Sequence, residues 1–260
     1  CDSSIFLLDN SRNKIKEIFH KFGLVIYKSK FTSDKDIYEE FTANCSILGL
    51  NQIKDTTRRK LFNLEESNKQ KLSSVDLDFP HVDPHAETSF SPARPALISF
   101  VCLEISNYAK KKGLTTLIDG NLLWKKLSPK TKMILQSLSI DYSLALELDL
   151  KKRLTGSKKP WFLEYNNIRK TALDTKEAKL FFDFKSPFIT EHPISRKLAL
   201  ANHIFINLKT EPQILSRKLL LDKEEFNLEN DLLEDIIFNI HENIRTFKWT
   251  KGFSLYIDNN

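Results

Sequence analysis

The amino-acid sequence predicts an α+β fold, read as a single domain over residues 1–260 in which helices flank a curled sheet. Three observations carry that expectation. Near the start of the chain, segments with helical hydrophobic spacing alternate with short apolar strands. A nearly continuous apolar run from Ala96 to Leu103 reads as a fully buried strand. The stretch 229–247 carries one apolar stripe at helical spacing, and alternation over Phe253–Ile257 comes after it.

Each element has a local reason. Over residues 11–22, Ile15, Ile18, Phe19 and Phe22 recur at helical spacing between Lys and Glu, and Gly23 supplies a stop. Leu24-Val25-Ile26-Tyr27 is a short apolar strand. Ser33-Asp34 offers an N-cap for a second helix marked by Ile37, Phe41 and Ile47. Residues 51–78 are polar and irregular and read as a long surface excursion, the kind of segment that forms a lid. Leu114 to Ile118 is another strand, closed by Asp119-Gly120. Leu122 to Leu127 is helical, and Ser128-Pro129 opens a helix through Leu135. From 141 to 190 the pieces Trp161–Tyr165 and Leu180-Phe181-Phe182 read as strands between loops. In the 229–247 helix, Leu233, Ile236, Ile237, Ile240 and Ile244 form the apolar stripe, with acids opposite.

Composition removes several function classes. Hydrophobic residues are 41% of the chain and charged residues 28%, with 19 Phe, so there is ample material for a core and disorder is excluded. No uncharged apolar stretch reaches the roughly 18 residues of a membrane span. Only 6 Gly are present, and neither a dinucleotide fingerprint nor a P-loop occurs. The net charge of +6 comes mostly from Lys scattered among 34 acids, and the densest run, Lys110-Lys111-Lys112, reads as a solvated loop. No nucleic-acid partner is therefore expected. Three cysteines, Cys1, Cys45 and Cys102, make no disulfide framework and fit a reducing, cytoplasmic setting. The chain begins at Cys1 rather than Met, so a preceding segment is expected.

Chemistry concentrates in Phe79-Pro80-His81-Val82-Asp83-Pro84-His85-Ala86-Glu87-Thr88-Ser89-Phe90. His85 and Glu87 are two apart, and on a strand positions i and i+2 share a face. An imidazole and a carboxylate on one face are two corners of the two-His, one-carboxylate site used for iron(II). His81 and Asp83 offer a rival pair, bracketed by Pro80 and Pro84, which disfavour regular pairing.

The residues downstream of this pair form a pattern. His85-Ala-Glu87-Thr-Ser-Phe90 leads to Arg94-Pro95, the apolar run ending at Cys102, and then Lys112-Gly113-Leu114-Thr115-Thr116-Leu117-Ile118-Asp119-Gly120. Near the end comes Trp249-Thr-Lys-Gly252-Phe-Ser-Leu-Tyr-Ile-Asp258-Asn259. Together with the strand Leu24–Tyr27, these pieces resemble, in order over residues 22–260, the TauD/TfdA-like (clavaminate synthase-like) iron(II)/2-oxoglutarate-dependent dioxygenases. Two positions depart from the family pattern: Lys112 stands for the first Gly of a Gly-Gly pair, and Phe253 for the Asp of a Gly-Asp pair.

The resemblance implies a double-stranded β-helix core, a jelly-roll of cupin type, with flanking helices. It implies His85 and Glu87 as iron ligands and Thr115 as a cofactor-binding residue whose hydroxyl helps hold the 2-oxoglutarate carboxylate. The register of Phe90 and Pro95 favours His85 over His81. The family's distal His and an Arg for the cosubstrate would come after Asp258-Asn259, so they are expected beyond Asn260 and the C-terminal end of the domain is expected to be missing. His20, His192, His203 and His241 carry no ligand signature of their own. The implied cofactors are Fe(II) and 2-oxoglutarate, and the implied partners a small-molecule substrate and O2. The implied reaction is hydroxylation coupled to decarboxylation of 2-oxoglutarate to succinate. Glu87 retains the carboxylate that related halogenases lack, which favours hydroxylation. The His-x-Glu form with Phe90 points to an amino-acid-derived metabolite. The alternative expectation is a non-catalytic β-helix homologue acting as a binding or regulatory protein. Oligomeric state is not readable from the sequence.

Overall fold

The computed structural model describes residues 7–8, 12–49, 61–62, 72–73, 83–91, 94–105, 114–147, 168–174, 176, 179–211 and 213–260. Within the predicted 51–78 excursion these comprise one two-strand ladder, Leu61–Phe62 against Leu72–Ser73. The rest of that excursion, and the predicted Trp161–Tyr165 strand, lie outside the described residues. The chain divides into two compact units, one from residues 1–80, 95–117 and 245–259 and one from 81–94, 118–244 and 260.

The first unit is built on a four-stranded sheet in the order Leu7–Leu8, Leu24–Lys28, Phe253–Asp258, Leu97–Val101. The first pair is parallel and the others antiparallel. The first helix, Arg12–Phe22, stops where Gly23 takes a φ of +69° and donates its N–H to the Phe19 carbonyl at 2.7 Å. The central strand is buried on both faces, and alternation sorts its side chains. Val25 and Tyr27 pack with Ile15, Tyr38, Phe41 and Tyr256, whereas Ile26 packs with Phe247 and Leu255. The second helix, Asp34–Ile47, is capped as expected, since Ser33 Oγ accepts the Asp36 N–H at 3.1 Å. Glu40, on that helix, accepts a 2.6 Å hydrogen bond from the Tyr27 hydroxyl.

The predicted strand at 96–103 exists as Leu97–Val101 but is half-buried along its length rather than fully buried. Among the described residues it pairs only with Phe253–Asp258, which makes it an edge strand. An apolar run cannot distinguish an edge from a centre.

A separate antiparallel ladder joins Leu114–Leu117 to Arg245–Lys248, with Thr115 opposite Phe247. The predicted 229–247 helix therefore ends early, at Asn243. Ile244 is extended, and the next four residues are a strand, because pairing with Leu114–Leu117 overrides the helical period. The helix also sits slightly rotated from the predicted stripe. Leu232, Ile236, Asn239, Ile240 and Asn243 are its buried residues, and Ile237 is exposed.

The second unit holds a five-stranded antiparallel sheet in the order Glu224–Glu225, Ile214–Leu221, Leu138–Glu147, Lys179–Pro187, Ile168–Asp174. Along Lys179–Pro187 burial alternates, so Leu180, Phe182 and Phe184 face one side. They share a core with Leu138, Ile140, Tyr142 and Leu144 of the neighbouring strand. Helices Gly120–Lys126, Pro129–Ser137 and Asn230–Asn243 add Leu123, Trp124, Leu135, Ile236 and Ile240 to it. Burying a large apolar side chain stabilises by about 1.5–3 kcal/mol, so this cluster is the main energetic anchor of the unit. Asp119, predicted to close a strand, is the N-cap of the Gly120–Lys126 helix and accepts from the Asn121 and Leu122 N–H groups. Cys102 is buried and free, as a small core residue should be. Among the described residues no helix is long and apolar enough to cross a membrane.

Candidate active site

His85 and Glu87 do not lie on a regular strand, as the spacing argument assumed. Residues 83–86 are irregular and 87–90 form a turn. Thr88 takes a left-handed φ of +49°, the Ser89 N–H reaches the Ala86 carbonyl at 3.2 Å, and the Ser91 N–H reaches the Thr88 carbonyl at 2.9 Å. The segment is tied down by the Ala86 N–H, which donates to the Asn202 carbonyl at 3.1 Å. The turn brings the two side chains together by another route: His85 Nε2 stands 3.6 Å from Glu87 Oε2.

The His85 ring is oriented from behind. Its Nδ1 lies 2.8 Å from the Asp83 carbonyl oxygen. A carbonyl can only accept, so Nδ1 carries a proton, and Nε2 is the nitrogen turned toward Glu87. Burial works against a charge on this ring, but the Glu87 carboxylate and the Asp83 carbonyl outweigh it and raise its pKa above the ordinary value. Asp83 contributes its backbone, and His81 lies outside the described residues.

Beside this pair stands a residue to which the sequence assigned no role. His203 is only 1% exposed and sits at a bend of the chain. Its ring meets His85 edge-on at 4.9 Å between centroids and Phe90 at 4.8 Å. Ser89 Oγ and His203 Nδ1 are 2.9 Å apart. Burial, with the neighbouring His85, pushes the His203 pKa down to about 3, so the ring is neutral. The bend that carries it is clamped. Asn202 Nδ2 donates to the Phe188 carbonyl at 2.8 Å, Arg94 Nη1 to the Ala201 carbonyl at 3.1 Å, and Arg217 Nη1 to the carbonyls of His203 and Ile206. The one sequence signal that could have found it is a polar pair, Asn202-His203, inside the otherwise apolar Leu198–Ile206 stretch.

Phe90, the predicted aromatic, is buried in the core of the second unit and packs edge-on against Tyr142. Thr115 belongs to the first unit. Its Oγ1 accepts a 2.8 Å hydrogen bond from the Trp249 indole Nε1–H.

The donor chemistry fits a divalent first-row metal. His and carboxylate ligands sit at about 2.1 Å, which puts adjacent ligand atoms about 3 Å apart, close to the observed 3.6 Å. A ligating histidine whose other ring nitrogen donates to a backbone carbonyl is a common supporting arrangement, and His85 has it. The pair is two donors and no more. Among the described residues no three His, Cys, Asp or Glu side chains are arranged to hold a metal ion, and His203 turns Nδ1 to Ser89.

Three comparisons bear on this arrangement. The model of the taurine catabolism dioxygenase TauD, TfdA family matches residues 2–260. Among curated proteins nothing matches. Among solved structures the chain is similar to a Burkholderia xenovorans protein described as an alpha-ketoglutarate-dependent taurine dioxygenase, with 13% identity, 97% of this chain and 75% of that chain covered, and a TM-score of 0.50. It is similar also to AAD-2 in complex with Mn(II) and N-oxalylglycine, with 12% identity, 97% and 83% coverage and a TM-score of 0.49. At such identity the first likeness concerns the fold. The family match spans nearly every residue, including the His85–Glu87 turn and the Trp249–Asn259 segment, and on it the chain belongs to the taurine catabolism dioxygenase TauD, TfdA family, as a 2-oxoglutarate-dependent dioxygenase that uses Fe(II).

Proposed function

We propose that this dioxygenase hydroxylates a small, amino-acid-derived metabolite, with a double-stranded β-helix core carrying the site. His85 Nε2 and the Glu87 carboxylate are iron ligands, and Thr115 receives the far carboxylate of 2-oxoglutarate. The observation that carries the reading is the orientation of His85: Nδ1–H is spent on the Asp83 carbonyl at 2.8 Å, and Nε2 is turned toward Glu87 at 3.6 Å. Fe(II) with 2-oxoglutarate and O2 would supply the oxidation, the cosubstrate leaving as succinate and CO2.

The work of the chain's own residues is positional. Asp83 fixes which nitrogen of His85 can ligate. The turn at Thr88 aims Glu87 back at His85. Phe90 packs on the uncharged His203 ring, which in turn meets the His85 ring edge-on and holds its position. Glu87 would supply a carboxylate ligand to the iron, which favours hydroxylation over halogenation.

The test is substrate-stimulated conversion of 2-oxoglutarate to succinate by the full-length protein with Fe(II). Panels of free amino acids, sulfonates and aryloxy acids should separate. Stimulation by amino acids or their derivatives, with a product about 16 mass units heavier from the added oxygen, is expected. Stimulation by sulfonates or aryloxy acids alone would overturn the substrate class.

A further inference from the structure

We propose that Trp249 is a positioning residue for 2-oxoglutarate: its indole N–H holds the Thr115 hydroxyl through one lone pair and leaves the hydroxyl proton free to donate to the cosubstrate's far carboxylate. This rests on the reading of Thr115 given above and deepens it.

The geometry is local to the first unit. Thr115 lies in the Leu114–Leu117 strand opposite Phe247, and Trp249 comes one residue after that partner strand. Trp249 Nε1 stands 2.8 Å from Thr115 Oγ1. The indole has a donor and no acceptor, whereas a hydroxyl has one donor and two acceptor sites. The direction of the bond is therefore fixed: Trp249 donates and Thr115 accepts. That bond occupies one lone pair of Oγ1 and forbids the rotor position that would aim the hydroxyl proton at the indole N–H. The proton is left to the remaining positions, so the Thr115 hydroxyl is held in place with its proton available to a ligand.

An anion is the ligand that such a hydroxyl suits. A carboxylate offers only acceptors, and a hydrogen bond to a charged group is stronger than one between neutral groups. The indole is itself held. Its ring meets Phe247 at 4.7 Å and 84°, and Phe100 at 6.3 Å and 68°. Phe247 is buried in a cluster with Ile26 and Leu255, against which Trp249 packs. The donor is thus fixed before any ligand arrives, and the ordering cost is met in folding rather than in binding.

The experiment is anaerobic titration of the Fe(II)-loaded full-length protein with 2-oxoglutarate, and separately with 2-oxobutyrate. The second acid keeps the chelating keto-acid end and lacks the far carboxylate. Dissociation constants are read from the visible charge-transfer band. Trp249→Phe keeps an aromatic ring and removes the donor; it should weaken 2-oxoglutarate about three- to tenfold and leave 2-oxobutyrate unchanged. Thr115→Val should weaken 2-oxoglutarate about tenfold, and Thr115→Ser should restore it. With Thr115 already Val, adding Trp249→Phe should cost nothing further.

If Thr115→Val leaves 2-oxoglutarate affinity intact, the reading of Thr115 fails. If Thr115→Val weakens it and Trp249→Phe does not, the reading stands and the role given to Trp249 is overturned. If Trp249→Phe weakens both acids equally, the indole is packing and nothing more, which also overturns the proposal. Thermal unfolding of each variant shows that the compared proteins are folded.

Discussion

His203 shows how a buried polar side chain is held without charge. Its Nδ1 faces Ser89 Oγ at 2.9 Å, and the ring is pressed between His85 and Phe90. Ser89 is itself buried, so removing its hydroxyl leaves a buried ring nitrogen without this contact. A buried polar group that loses its partner costs about 1–3 kcal/mol. Ser89→Ala should lower the unfolding free energy by that amount in urea denaturation, with an unchanged slope. A loss below about 0.5 kcal/mol would mean that water replaces the hydroxyl. Gly120 makes a steric counterpart. A Cβ there would stand 2.6 Å from the Leu200 carbonyl oxygen, whose N–H is bound to the Gly120 carbonyl at 3.1 Å. Because the opposing atom is backbone, Gly120→Ala should destabilise by about 1–3 kcal/mol, seen as a lower midpoint in the same denaturation.

At the scale of elements, Asp235 links two helices of the second unit. Its Oδ2 accepts the Ser128 N–H at the start of the Pro129–Ser137 helix at 2.9 Å, and its Oδ1 accepts from Asn239 Nδ2 at 2.8 Å. Burial pushes its carboxyl up, but hydrogen bonds from Thr131, Ser128 and Asn239 outweigh burial and hold it below the usual carboxylate range. The folded-state pKa is therefore lower than the unfolded one. The contribution of the ionised form is complete above the unfolded value of about 3.9 and is lost as pH falls through the folded value. Asp235→Ala should cost about 1 kcal/mol at pH 7, and the gap in Tm between it and the parent should close as pH is lowered below about 4. A gap independent of pH would show that the carboxylate charge is not what joins the helices.

Local signals were legible where local chemistry decides. Ser33, Gly23 and Ser128-Pro129 set helix ends in the structure as their side chains and backbone freedom require. The helix over 229–247 shows the limit. Ile244 and Phe247 continue its apolar period, yet the chain leaves the helix after Asn243, because a strand partner at Leu114–Leu117 is invisible in a local window. The edge position of Leu97–Val101 was hidden for the same reason. The Ile214–Leu221 strand escaped notice because its residues, Ile-Leu-Ser-Arg-Lys-Leu-Leu-Leu, do not alternate between apolar and polar.

For the whole molecule, the site was legible in proportion to how near its parts lie in sequence. His85 and Glu87 could be paired from spacing, although a turn and not a strand brings them together. His203 and Ser89 are 114 residues apart, and Trp249 and Thr115 are 134 apart, so only the folded chain shows those contacts. The family assignment rests on segments spread over residues 2–260, whereas the roles proposed for His85 and Glu87 rest on the resemblance and on the geometry around His85. The most direct measurement therefore addresses that geometry. It is the visible charge-transfer band of the full-length protein with Fe(II) and 2-oxoglutarate under anaerobic conditions, recorded for the parent, His85→Ala and Glu87→Ala. Iron held by His85 and Glu87 predicts a band in the parent that both substitutions abolish while the proteins stay folded. A parent without the band, or a band that survives His85→Ala, would contradict it.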